Sequence, residues 1–487
     1  MGVACGGPSV PPEPKAEPQV SVVTAVSKAD EKPSAPVVDA PPRQVLVTER
    51  VTADAWEVRW VFAEPTTGIL FDRRNPANRR ETWAPGPGLK WVAEGEHELI
   101  RTIDDEPVRE FSATFPTDDR VHGRAPPLHV RYSDGGRLLF TSQLGAHALA
   151  CAGKRCDRRD LDQPRVWTFK SDAERTLRVL ESGGQGTLVW HEPAGDLRGT
   201  YLYAGDLAPV DAEAFALVVD PGLPAWLVAD TTRVFPLLFA FHRAQTGISL
   251  DFKPIVFASR GRADAPGYEL SGRTLPALVQ LAANGREWAA PSPERTALWF
   301  EFLAHESFHL WNSQLARHTG EAREEWLTEG SSMYAGALAL RQAGLLDEPV
   351  FARRIVRAAN GCLTRLQGPL YSEAAGASFY DCGQVVHYLV DRELGASGGV
   401  MGLLAATFEH ARAHGTYTTA DYVRLLDERA KDPAFVAGIR QVLEAGLGAA
   451  PGKFLQARLA EAGLAVTLTG ATATERGRLE LKTTPTK

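Results

Sequence analysis

No run of apolar residues in this chain approaches the eighteen or more that a membrane-spanning helix needs. The densest, from Val234 to Phe241, is short and holds Pro236. Nor is there a block of five or more like charges, and the net charge is −7. Nothing in the composition therefore recruits a nucleic-acid backbone or an anionic membrane surface, and no nucleic-acid partner is expected. Internal repeats are absent. Cysteine is scarce, with five in 487 residues: Cys5 stands alone, Cys151 and Cys156 lie close together, and Cys362 and Cys382 are twenty residues apart. Paired, the inner four fit an oxidising compartment outside the cytosol; reduced, they are small core residues. The sequence leaves both readings open.

What is present is a chain 44% hydrophobic and too long for one ordinary domain. Its opening, Met1-Gly-Val-Ala-Cys5-Gly-Gly, resembles the end of a bacterial lipoprotein signal, in which a small residue precedes the cysteine to be acylated. The charged and apolar parts of such a signal are not in the sequence. Nine prolines between Pro8 and Pro42 block regular structure, so residues 1–42 read as a disordered tether reaching roughly 30 to 40 Å. The expectation is an extracytoplasmic protein, tethered to the membrane of a bacterial envelope through lipidated Cys5.

Residues 43–215 carry the period of half-buried strands: Trp56, Val58 and Trp60 alternate with Glu57 and Arg59, and Leu128, Val130 and Tyr132 with His129 and Arg131. Ser133-Asp-Gly-Gly136 reads as a hairpin turn, and Gly186 to Trp190 with Thr200 to Tyr203 as a second strand pair. This all-β domain holds no cluster of catalytic residue types and reads as a scaffold or a wall that orients substrate. Helical signals dominate residues 216–465, interrupted by two strand-like runs, Pro254 to Ala258 and Leu275 to Ala283. Residues 466–487 suggest a short hairpin or tail.

Ser292-Pro-Glu-Arg295 opens a helix well, because Ser292 can cap a backbone N–H and Pro293 suits the first helical position. Within that helix lies His305-Glu-Ser-Phe-His309. Residues four apart share a helical face, so both imidazoles can meet one ion while Glu306 reaches a water beside it. Such a five-residue match arises by chance in roughly one chain in fifty of this composition, so a third ligand is required. Glu329, in Glu325-Trp-Leu-Thr-Glu-Gly330, supplies it if a second helix packs antiparallel to the first. One Zn2+ per chain is expected, held by His305, His309 and Glu329 with the fourth position open.

At this point the sequence resembles a family. His305-Glu-Ser-Phe-His309-Leu-Trp-Asn312 followed by Trp326-Leu-Thr-Glu329-Gly is similar to the gluzincin metallopeptidases, above all the glycyl aminopeptidases and, more distantly, the aminopeptidase N family. Tyr380-Asp-Cys-Gly383 is similar to the Tyr-x-x-Gly helix start whose tyrosine steadies the oxyanion in those enzymes. The resemblance implies an α+β multidomain fold, with an N-terminal all-β domain followed by a thermolysin-like, mostly helical zinc-peptidase domain. It also implies peptide or protein substrates, Glu306 as general base and Tyr380 as catalytic donor.

The chain departs from the family in three places. Nineteen residues separate His309 from Glu329 where aminopeptidase N relatives show eighteen, and the PDZ-like domain common among glycyl aminopeptidases has no counterpart after Leu464. No Gly-x-Met-Glu-Asn precedes the histidines; Gly272-Arg-Thr-Leu-Pro276 stands at a comparable distance, with Leu275 where the amine-gripping carboxylate is expected. Strict dependence on a free N-terminus is therefore not expected unless Glu269 or Glu287 replaces that anchor. Two rival readings remain: a tethered binding lipoprotein that keeps the peptidase fold without turnover, and a zinc hydrolase acting on another electrophile.

Overall fold

The computed structural model describes residues 43–72, 79–94, 97–117, 128–152, 155–158, 164–192, 198–470 and 477–482. Cys5 and the expected tether lie outside them. In Ala55–Thr66 the alternation seen in the sequence buries Trp56, Val58 and Trp60 and turns Glu57 and Arg59 outward. This strand runs antiparallel between Arg43–Arg50 and Val108–Pro116, with Trp60 opposite Phe111 and Trp56 opposite Phe115. It belongs to a six-stranded sheet, and two five-stranded sheets complete the β-rich region. Large apolar side chains from all three form a common core.

Two strand readings need correction. Thr187–Glu192 and Tyr201–Gly205 do not pair with each other: the first lies beside Arg165–Ser171 in the six-stranded sheet, the second between Thr176–Val179 and Arg137–Phe140 in another. Tyr201–Gly205 is buried on both faces whereas Thr187–Glu192 is only half covered. Alternation reports how many faces are covered, not which strand is the neighbour. His129, expected to face outward, is buried and stacked on Trp56 at 6.3 Å. The turn at Ser133–Gly136 is where it was expected, between His129–Arg131 and Arg137–Phe140.

A fourth sheet joins the β-rich region to the helices. Its inner strands, Ala216–Val219, Ile255–Gly261 and Leu278–Asn284, run parallel and are almost wholly apolar, as strands covered on both faces must be. Glu269–Leu275 adds an antiparallel edge, connected to Leu278–Asn284 through a Pro276-Ala277 turn in which Ala277 adopts φ +54°. The run read as one strand from Leu275 to Ala283 is thus the end of one strand, a turn and most of another. Leu275 itself packs with Tyr201, Tyr203 and Phe257 in the core between this sheet and the β-rich region.

Beyond the sheet the chain is helical. The histidine helix is Pro293–His309, the glutamate helix Glu325–Gln342 and the tyrosine helix Ser378–Leu394. Ser292 caps the first as expected, accepting from the Arg295 N–H at 3.2 Å. A strand pair, Val466–Thr469 with Arg478–Leu481, is pinned to helix Glu348–Arg365 by Asn360, whose amide bonds both backbone groups of Leu479 at 2.8 and 2.9 Å. Cys362 and Cys382 form a disulfide between helix Glu348–Arg365 and the tyrosine helix, which closes the reduced alternative for that pair. Cys151 and Cys156 face each other in register across a hairpin; their side chains lie outside the described residues. Among the described residues no helix is long and apolar enough to cross a membrane.

Candidate metal centre

Three elements bring the site together. The histidine helix carries His305, Glu306 and His309; after His309 the chain takes a wide π-helical turn, Leu310–Leu315, and returns as the glutamate helix. Glu329 then faces the two histidines. His305 Nε2 and His309 Nε2 are 3.1 Å apart, and Glu329 Oε2 lies 3.2 and 3.5 Å from them. Among the described residues this is the one cluster of three metal-ligating side chains.

The donor set fits a metal ion. Zinc bonds of 2.0–2.1 Å in a tetrahedral arrangement space their ligand atoms by about 3.3 Å, close to all three separations observed. Without an ion the cluster must hold protons instead. Burial disfavours the His309 cation, but Glu329, Glu306 and Asn312 outweigh it and carry its pKa up to about 9. Burial pushes Glu329 the other way, yet His309 and His305 hold its carboxyl well below the usual range. An incoming divalent cation would replace that proton against ligands already gathered.

Asn312, in the wide turn, is the support the sequence did not assign. It is fully buried, and its Nδ2 donates to the Thr328 carbonyl at 2.8 Å and to the hydroxyls of Ser331 and Ser332 at 2.9 Å. A carbonyl can only accept, so the orientation of the Asn312 amide is fixed. Its Oδ1 therefore faces His309 Nδ1, at 3.1 Å, and His309 donates there, so that a metal displacing the other proton would meet the Nε2 lone pair. The residue was legible as part of the His-Leu-Trp-Asn run; its role needed the wide turn that folds it back under His309.

Glu306 is nearly buried beside the ligands, and the Thr274 hydroxyl donates both to its Oε2 at 2.9 Å and to its backbone carbonyl at 2.8 Å. Thr274 comes from the edge strand. Its side chain faces the histidine helix and Leu275 faces the core, because successive strand residues point to opposite sides. The comparison of Leu275 with an amine-gripping carboxylate therefore concerns a side chain that does not face the site. Glu269 and Glu287 lie near the start of the histidine helix, twelve or so residues and about 18 Å from Glu306 along its axis, and pair with Arg262 and Arg295. Neither can anchor a substrate amine at the cluster.

Tyr380 opens the tyrosine helix. Its ring centroid is 6.0 Å from that of His305, and the side chain is 40% exposed, so it borders the cluster and solvent together. Burial raises its pKa, helped by the carboxylates of Glu329, Glu306 and Glu325, and it stays protonated as a donor. A glycine contact sets this approach: a Cβ on Gly330 would lie 2.4 Å from Gly383 Cα, so the glutamate and tyrosine helices cross at van der Waals limits directly beside Glu329 and Tyr380. His387, one face further on, is a packed residue: buried, bonded to the Gly383 carbonyl at 2.7 Å and held neutral by burial.

In sequence, no known family pattern and no curated protein matches the chain. In structure it is similar to an aminopeptidase N family protein from Idiomarina loihiensis, with TM-score 0.64 and 11% identity over 88% of this chain and 79% of that one. It is also similar to native leukotriene A4 hydrolase from Saccharomyces cerevisiae, with TM-score 0.51 and 9% identity over 84% of this chain and 70% of that one. At such identities the likeness is one of fold. The expected α+β succession, a β-rich region followed by a mostly helical one, is what the chain forms.

Proposed function

We propose that the chain is a zinc-dependent metallopeptidase of gluzincin type that hydrolyses peptide bonds in peptide or protein substrates. The observation that carries the reading is the convergence of His305, His309 and Glu329 at the spacing of a tetrahedral site, with Glu306 fixed alongside. Bound there, zinc would acidify a water and polarise a carbonyl. Glu306 is the base: Thr274 holds its Oε2, and its carboxylate takes the proton of the attacking water and returns it to the leaving amine. Tyr380 keeps its proton and donates to the developing oxyanion, a contact stronger in the transition state than in the ground state.

Whether the chain is an aminopeptidase, and whether of glycyl type, turns on an amine anchor. Since Leu275, Glu269 and Glu287 all lie away from the cluster, strict dependence on a free N-terminus is not part of this proposal. Attachment through an acylated Cys5 and an extracytoplasmic location are supported by the sequence around Cys5 and by the Cys362–Cys382 disulfide, which suits an oxidising compartment. The test is metal analysis with a peptide-library digest: about one zinc per chain and cleavage that requires Glu306. Zinc without any cleavage would favour the binding lipoprotein, and no zinc after refolding with excess metal would end the proposal.

A further inference from the structure

The tyrosine helix begins without a cap. Ala377 stands at its N-cap position, where no side chain bonds the free N–H groups, and the Ser378 hydroxyl is buried with no partner among the described residues. The histidine helix, by contrast, has Ser292 in that place. The first turn of the tyrosine helix, which carries Tyr380, is held from the side instead. Cys382 is bridged to Cys362 of helix Glu348–Arg365, and Asp381 forms an ion pair with Arg365 of the same helix. Gly361 makes room for that carboxylate, since a Cβ there would fall 2.3 Å from Asp381 Oδ2. Next in sequence, Gly383 meets Gly330 of the glutamate helix. Every one of these ties lies within a single turn of Tyr380. The tyrosine itself is 40% exposed, with its ring 6.0 Å from that of His305, so its place follows the backbone that bears it.

We propose that the Cys362–Cys382 bridge is a positioning element for Tyr380, holding the first turn of the tyrosine helix where the phenol can donate to the developing oxyanion. The inference rests on the peptidase reading and deepens it. Donation to an oxyanion tolerates little displacement: an error of about 1 Å costs on the order of a hundredfold in rate. An uncapped first turn at the edge of solvent frays readily, because its N–H groups gain nothing by staying helical. A covalent link two residues past Tyr380 removes that freedom, and the Asp381–Arg365 pair, which is partly exposed, adds less. Phe379 is buried in the helical core whether or not the bridge is closed, so opening it should loosen the turn rather than undock the helix. The zinc ligands lie on the other two helices, so the bridge acts on the donor and not on the metal.

The experiment is a double-mutant cycle on zinc-loaded protein: wild type, Cys362→Ala with Cys382→Ala, Tyr380→Phe, and the three changes combined. Losing the bridge should lower kcat roughly ten- to a hundredfold while KM and zinc content stay within about twofold, because the contacts made by the other helices remain. Tyr380→Phe should lower kcat on the order of a hundredfold or more. In that background, losing the bridge should cost less than about twofold, since it acts only through the phenol. A bridge that serves the fold alone would lower stability and leave kcat per folded molecule unchanged, or would lower kcat as much without the phenol as with it. Either result overturns the proposal and leaves the peptidase reading intact. Should the alanine protein fail to fold, the same comparison is made on folded wild-type and Tyr380→Phe protein before and after reduction by a phosphine, with the thiols counted by alkylation. If wild type cuts no peptide, the peptidase reading fails, and the positioning role is decided by hydrogen exchange over residues 378–384. Exchange there that is at least about tenfold faster without the bridge supports it, and unchanged exchange overturns it.

Discussion

Replacing Asn312 by alanine removes one small side chain that touches no substrate, yet the structure predicts two separate losses. Its amide satisfies the Thr328 carbonyl, two serine hydroxyls and His309 Nδ1, all in a fully buried position. Longer contacts remain for the carbonyl and the imidazole: the Ser331 hydroxyl donates to the Thr328 carbonyl at 3.2 Å, and the Ser332 and Ser313 hydroxyls lie 3.2 and 3.3 Å from His309 Nδ1. Each short bond given up for a longer one costs about 0.5–1.5 kcal/mol, so stability should fall by roughly 1–3 kcal/mol. Zinc affinity should fall about 10-fold, because His309 loses the acceptor with a fixed orientation and keeps only hydroxyls that can turn away. Asn312→Asp separates the two effects. It keeps an acceptor for His309 and so should hold zinc close to wild-type strength, while the Thr328 carbonyl still loses the shorter of its two side-chain donors and stability still drops. Chelator-competition titration gives the affinities, and urea unfolding of the metal-free proteins gives the stabilities. Zinc binding by Asn312→Ala within twofold of wild type would refute the argument that Asn312 sets the His309 tautomer.

The remaining predictions follow from other contacts. Glu306→Gln should retain about one zinc per chain and lose at least about a hundredfold in hydrolysis; equal turnover would remove Glu306 from its role. Thr274→Val, which deletes the hydroxyl bonded to Glu306 Oε2, should lower kcat more than it raises KM, and an unchanged kcat would show that Glu306 needs no such steadying. His387 is held neutral by burial, with its pKa lowered to about 4 from an ordinary value near 6.5, so the unfolded chain takes up its proton first. Its contribution is full above about pH 6.5 and fades as pH falls, removing on the order of 2 to 3 kcal/mol by pH 4.5. Urea unfolding at pH 7 and 4.5 should show a drop smaller by that amount in His387→Gln, and an equal drop would refute the assignment. Reducing Cys362–Cys382 opens a loop of twenty residues and should cost roughly 3 kcal/mol; free thiols at both positions in non-reduced native protein would contradict the bridge.

The sequence alone determined the features that depend on local spacing. His305 and His309, four apart on a capped helix, had to share a face, and Glu306 had to lie beside them. The alternation at Trp56, Val58 and Trp60 likewise determined which side of its strand is buried. The tertiary structure decided what depends on partners far along the chain. Strand pairing at Tyr201–Gly205 lay beyond the alternation, because burial on both faces is compatible with many neighbours. The wide turn that tucks Asn312 beneath His309 has no periodic signature. A one-residue difference on the edge strand separated Thr274, which serves Glu306, from Leu275, which serves the core, and only the paired register shows which side each faces.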